Sequence, residues 1–238
     1  MIEANGSDSW EALQEGARTC TKCAALNGML FVPFVGDFPR LPRPEPKPSL
    51  FISEAPPREG GFWKIPTPGK REDDLREKLL PLLGLSTQGP ERGLPPFVAA
   101  GFFLLQAFPR PLKFSIGSVG LKDLREMLEH PVSTHIGPMI RGIAPRAIVT
   151  LGRPAAAAVA MTFPASEFAA AFTAGGLEGV HGRVFAEGVG PAIGASYLPS
   201  GAGRFNRDRW AEEIPRLVTE FPGARESSRR QPRRGDLD

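Results

Sequence analysis

The sequence predicts an α/β fold, a three-layer α/β/α sandwich with a short, mostly parallel central sheet. Two observations predict it. Four short apolar runs, residues 49–53 (SLFIS), 97–106 (FVAAGFFLLQ), 147–151 (AIVTL) and 192–197 (AIGASY), read as strands buried on both faces. Segments with helical spacing lie between them, and strands that alternate with helices imply crossovers covering both faces of a parallel sheet.

Taken in order, residues 10–17 form a short helix that Ser7 or Asp8 could cap, followed by the pair Cys20 and Cys23. Residues 31–47 (FVPFVGDFPRLPRPEPK) hold too many prolines for regular structure and read as a loop wrapping the core. The first strand, 49–53, runs into EAPPREGG. Residues 71–85 return to helical spacing, with Leu75, Leu79, Leu80, Leu82 and Leu83 on one side and Pro81 placed to kink or end the helix. The second strand, 97–106, is closed by Pro109 and Pro111. Helices near 121–129 and 134–143 precede the third strand, and Gly152 opens an alanine-rich helix that continues through Met161. Residues 163–190 are less regular, with a hairpin near His181 and Gly182. The fourth strand then leads to an amphipathic helix over 207–221. Residues 1–224 thus read as a single domain, and 225–238 (RESSRRQPRRGDLD) as a disordered basic tail.

Composition narrows the class. Hydrophobic residues make up 41% and charged residues 23%, which supports a packed core and argues against global disorder. Glycine (27) and proline (26) are abundant without a three-residue period, which excludes collagen and implies many stiff loops. No run approaches the length of a membrane helix, and the N-terminus lacks a basic start followed by an apolar stretch, so a cytoplasmic protein is expected. The net charge of +3 permits nucleic-acid binding without arguing for it alone.

In parallel sheets the functional crevice lies outside the carboxyl ends of the strands, and two of the four ends carry suggestive chemistry. Glu54 follows the first strand directly, and Pro56 and Pro57 can continue neither strand nor helix, so its carboxylate is held at a rigid exit suited to an acid or base. A solvated glutamate opening a loop is the competing reading. Gly60 and Gly61 let backbone approach a ligand, and Phe62 and Trp63 offer a stacking surface or, equally, core. At the fourth strand, Ser196 leads through Ser200 and Gly201 into Gly203, Arg204, Asn206, Arg207 and Arg209. Small residues and then basic ones at a helix N-terminus can grip phosphates, or simply form an exposed charged helix start.

Together, the early Cys-x-x-Cys, Ser53-Glu54-Ala55-Pro56-Pro57, Leu105-Gln106, Val149-Thr150-Leu151-Gly152 and Ser196-Tyr197-Leu198-Pro199-Ser200 resemble the motif order of the uracil-DNA glycosylase superfamily across most of the chain. The sequence is most similar to the branches that carry an iron-sulfur cluster, whose first motif reads Gly-Glu-Ala-Pro-Gly and whose last reads His-Pro-Ser. The resemblance implies a monofunctional glycosylase that flips uracil out of DNA and hydrolyses its N-glycosidic bond. It assigns Glu54 the attacking water or the positive sugar, and Gln106 the uracil edge in place of the family's asparagine. Phe62 or Trp63 would stack on the base, with Ala55 and Ser196 also in the base site. Ser200, Gly201, Arg204, Asn206 and Arg207 would hold the DNA backbone, Arg204 through a phosphate. The implied partner is uracil-containing DNA, bound by a monomer.

Departures from that pattern are specific. Leu198 stands where the family's histidine stabilises the leaving uracil anion, and loss of a comparable donor costs about 10² to 10³ in rate. Ser53 and Pro57 replace the two glycines that flank the first motif. A four-iron cluster needs four thiolates, and the chain has only Cys20 and Cys23. A zinc site would need two more ligands, for which His130 and His135 are the best-suited donors by sequence, but the expectation is no metal, no cofactor and two small buried thiols. His181 reads as a structural or solvated loop histidine. The alternative function is a non-catalytic DNA-binding relative that recognises uracil-containing or damaged DNA. A third reading, an α/β enzyme of phosphorylated small molecules, lacks the glycine-rich phosphate loops it requires.

Overall fold

Continuous apolar runs flanked by proline and glycine leave a chain no polar face to expose, so such segments become interior strands. Residues Ser49–Ser53 (β1), Ala147–Leu151 (β3) and Ala192–Ser196 (β5) behave this way, each buried along its whole length. The computed structural model describes residues 10–26, 29–34, 40–59, 61–65, 74–88, 93–114, 116, 119–186, 190–199 and 207–221. With Phe102–Gln106 (β2) and the two-residue Val184–Phe185 (β4), the strands form a five-stranded sheet in the order β2-β1-β3-β5-β4. β1 pairs in parallel with β2 and β3, β3 pairs in parallel with β5, and β4 joins β5 antiparallel. The fold is therefore α/β with a mostly parallel central sheet, as the sequence predicts.

Helices cover both faces. On one side Arg153–Thr162 (α7) packs on β3 and β1. Beside it lie Trp10–Thr19 (α1), Leu121–Pro131 (α5), Gly137–Ile143 (α6) and Glu167–Gly175 (α8). On the other side Arg207–Glu220 (α9) packs on β5 and β3 and meets Asp74–Leu82 (α3). Gly194 lets α9 approach closely, since a Cβ there would stand 2.9 Å from Leu217 Cδ2. At the β2 edge an aromatic cluster fills the core, with Phe62, Trp63, Phe97 and Phe102 in edge-to-face and tilted contacts.

Several elements differ from the sequence expectation. The run 97–106 is not one strand: Leu94–Ala99 is a short helix (α4), Gly101 turns the chain at φ 75°, and β2 starts at Phe102. An uninterrupted apolar run reports burial and carries no period, so it could not separate the two. The stretch 163–190 contains α8, started by Ser166, whose hydroxyl accepts from the Ala169 N–H at 3.0 Å. The helix expected over 71–85 is described as Asp74–Leu82 with Pro81 in its last turn. The tail 225–238 lies outside the described residues.

The helices expected at 121–129 and 134–143 join into one run. A π-helical turn, Val132–Ile136, links α5 to α6, with helical backbone angles at Pro131, Val132, Ile136 and Gly137. Pro131 and Pro138 lack the N–H that an α-helix would use there, and the Gly137 N–H instead reaches back five residues to the Val132 carbonyl. A Cβ on residue 137 would lie 2.7 Å from that carbonyl oxygen, which is backbone and cannot swing aside. Gly137→Ala is therefore expected to destabilise the protein by about 1–3 kcal/mol, read as a lower denaturation midpoint in urea.

Candidate active site and a cysteine-histidine cluster

The register of β1 and β2 decides what meets at the end of the sheet. Ser53 is paired with Gln106, and the pairing continues past both strands, with Ala107 N–H donating to the Ser53 carbonyl (2.8 Å) and Phe108 N–H to that of Glu54 (2.9 Å). Two adjacent strands thus deliver the Ser53 hydroxyl and the Gln106 amide side by side, with the Glu54 carboxylate one residue further on. They open into a cleft of about 320 Å³, whose lining includes Ser53, Glu54, Ala55, Phe62, Gln106 and Leu198. Asp74, Leu112 and Phe114 complete much of its outer wall.

Three polar groups face this cleft without hydrogen-bond partners among the described residues. The Ser53 hydroxyl is buried and unpaired. The Glu54 carboxylate and Gln106 amide, both half-buried, have no partner either. A buried hydroxyl left unmet like that of Ser53 costs about 1–3 kcal/mol unless a ligand or water satisfies it. Asp74 differs, because Lys78 donates to it at 2.8 Å. Among the described residues that line the cleft, Glu54 is thus the carboxylate without a partner.

Burial pushes the Glu54 carboxyl above the ordinary glutamate range, and the positive charge of Arg153 partly opposes that shift. Arg153 is held in place by donating to the carbonyls of Ile116 and Val119.

The sequence-predicted base site is only partly assembled in the cleft. Glu54, Ala55, Gln106 and Phe62 line it, whereas Trp63 stands behind it, with its indole N–H donating to the Leu104 carbonyl on the open edge of β2 at 3.0 Å. Phe62 is itself packed among core aromatics, and Phe114, 45% exposed at the rim, is the more accessible ring. Ser196 does not line the cleft: its hydroxyl donates to Glu213 at 2.8 Å, and the other oxygen of that carboxylate meets His181 Nδ1 at 3.0 Å. This ties the end of β5 to α9. Ser200, Gly201, Arg204 and Asn206 lie outside the described residues, as does the side chain of Arg207 at the start of α9. Sequence reasoning missed Ser53 and Phe114 as cleft residues. In the sequence Ser53 stands out only as a replaced glycine, and Phe114 has no motif to mark it.

A second cluster lies apart from the cleft. Cys20 caps the short helix Thr21–Ala25 (α2), its sulfur accepting from the Cys23 N–H at 3.3 Å, so the Cys-x-x-Cys spacing sets both sulfurs at one helix end. Cys20 Sγ lies 3.2 Å from His130 Nε2, and Cys23 Sγ lies 3.5 Å from His135 Nε2. All four donor atoms fall within 4.8 Å of one another. The expected pair of lone buried thiols is therefore corrected: Cys20 is half-buried, and each cysteine faces a histidine in a set that could hold a metal ion. Burial, with the Cys20 thiol beside it, pushes the Cys23 thiol up to about 12. Burial, with His130 and Arg110 nearby, pushes His135 down to about 4.

No family model matches the chain, and no curated protein matches its sequence. Among the described residues no helix is long and apolar enough to cross a membrane.

The Glu54 environment yields a stability test. A carboxyl raised by burial keeps its proton in the folded chain at pH values where the unfolded chain has lost it. Its contribution to stability therefore falls as pH rises from the ordinary glutamate value through the raised one. Glu54→Gln, uncharged throughout, is expected to melt above the wild type near neutral pH, with the difference closing towards about pH 4; a variant that melts lower at neutral pH contradicts this account.

Proposed function

We propose that the protein is a monofunctional DNA glycosylase that flips uracil from DNA and hydrolyses its N-glycosidic bond. The observation that carries this reading is the convergence of Glu54, Gln106 and Ser53, all without partners among the described residues, in one cleft at the carboxyl ends of adjacent parallel strands. That is the usual place for a ligand in such a sheet. The resemblance to the uracil-DNA glycosylase superfamily gives Glu54 and Gln106 their roles.

Gln106 presents an amide that accepts from the uracil N–H and donates to its carbonyl, while Phe62 supplies an apolar wall. Phe114 extends that wall at the mouth. The Glu54 carboxylate accepts a hydrogen bond from water and directs the water oxygen at the sugar C1′. As the C1′–N bond breaks and the water oxygen bonds to C1′, the same negative charge offsets the positive sugar, and the base leaves as an anion that takes up the proton the water releases. Extrusion costs a few kcal/mol and is cheapest at a mismatch such as U·G. The basic segment around Arg204 would hold the flanking phosphates. The cytoplasm and a monomeric state suit this reading.

Leu198 favours a second reading, a non-catalytic reader of uracil-containing or damaged DNA, because it places an apolar side chain in the cleft where a donor to the leaving anion would be useful. The reaction separates the two. Incubated with uracil oligonucleotides, single-stranded and as U·G and U·A duplexes, the wild type should generate alkali-labile abasic sites, with Glu54→Gln reduced about 10²- to 10⁴-fold. Retained binding without abasic sites in any substrate would establish the reader instead. Leu198→His restores a donor at the cleft and is expected to raise the single-turnover rate, about tenfold or more, with little change in DNA affinity.

A further inference from the structure

We propose that Cys20, Cys23, His130 and His135 form a tetrahedral site for a single zinc ion, which staples the N-terminal helices to the α5–α6 run. The donor set is two thiols and two imidazoles, a combination whose softness and number suit zinc. Geometry agrees with the composition. Tetrahedral zinc with its ordinary bond lengths separates neighbouring donors by about 3.3–3.8 Å. The two Cys-His pairs stand at 3.2 and 3.5 Å, and the whole set closes within 4.8 Å, so small side-chain movements would complete the shell.

Local structure is shaped to bring the histidines together. In a regular α-helix, positions five apart point roughly 140° away from each other. The π-helical turn at Val132–Ile136 removes that mismatch, and the rings of His130 and His135 come within 5.3 Å, edge to face. Both histidines present Nε2 to a cysteine, and Thr134 Oγ1 lies 3.1 Å from His130 Nδ1, the outer hydrogen bond that fixes the tautomer of a metal-binding imidazole. His135 and Cys23 are buried, at 3% and 0% exposure, so these two ligands are already withdrawn from water.

A four-iron cluster, which the resemblance implies, does not fit these residues. It requires four thiolates where the chain has two, and its iron cube would hold the donors further apart than they stand. With four protein ligands no coordination position remains for water or substrate, and none of the four lines the cleft, so the ion would be structural. Its effect would be large, because it joins segments separated by 110 and 112 residues in the chain.

The full chain, purified without a metal-binding tag, is expected to contain about one zinc per molecule by mass spectrometry and no acid-labile sulfide. Cobalt added to the stripped protein should give intense tetrahedral visible bands and a thiolate charge-transfer band. Cys23→Ala and His135→Ala should each lower metal affinity at least tenfold, while His135→Cys should retain the ion and shift the cobalt spectrum. Removing the metal with a chelator should lower Tm by several degrees, and zinc should restore it. Iron with stoichiometric sulfide, a stripped protein that gives no cobalt-thiolate band, or full zinc content in both alanine variants would overturn the proposal.

Discussion

The parallel pairing of β1 with β2 on one side and β3 on the other is the constraint on which the rest of the molecule depends. β1 and β3 are buried throughout and β2 along its centre, and all three exit at the same end of the sheet. Because side chains alternate with a period of two, a one-residue slip would swap every inward and outward residue between the two helix layers. Gly194 beneath Leu217 and the aromatic cluster around Phe97 fit one arrangement of large and small residues, and that complementarity opposes a slip. With the register fixed, Ser53, Glu54 and Gln106 have fixed neighbours, and the cleft follows from the sheet itself.

A site with a buried hydroxyl lacking a partner among the described residues, beside a carboxyl that burial penalises, is locally unfavourable, and rigid packing lies next to it. Trp63 illustrates this: it donates to an edge carbonyl of β2 while its ring packs on Phe97 and Phe103, so the strand that carries Gln106 is sealed on its open side. The proline pair after Ala55 stiffens the exit of β1 in the same way. Preorganised polar groups beside a packed core need little reorganisation when a ligand arrives.

The parts of this arrangement differ in how far they were legible in the sequence. β1, β3 and β5 were visible because short apolar runs ended by proline or glycine have few other fates. Glu54 and Gln106 were visible because strand ends are readable wherever strands are. Their unpaired state was not, since it depends on the absence of neighbours that only the assembled fold supplies. α8 escaped notice because Phe168, Ala169 and Phe172 are buried in a segment with little polar periodicity. His130 and His135 could be named as donors, but five-residue spacing argues against a shared face in an α-helix, and the π turn that overrides this leaves only the faint trace of Pro131 and Gly137-Pro138.

The cysteine-histidine cluster and the cleft are separate in space but joined by the backbone. A few residues after Cys23, Leu30 and Val32 pair with the segment that follows β2: Val32 N–H donates to the Pro111 carbonyl at 2.9 Å, and Lys113 N–H to that of Leu30 at 3.0 Å. Leu112 and Phe114, in or beside that pairing, are part of the outer wall of the cleft. Arg110, at the head of the same segment, donates to the Arg18 carbonyl of α1 and lies near enough to Cys23 and His135 to act on both electrostatically. The two sides of the cleft therefore have different supports. Glu54 and Gln106 hang from the sheet, whereas the wall carrying Leu112 and Phe114 is braced by the N-terminal segment that Cys20 and Cys23 anchor to α5 and the π turn. A change at the cluster would be felt first in how tightly the outer wall closes on a ligand, and only later, through global stability, in the placement of the carboxylate.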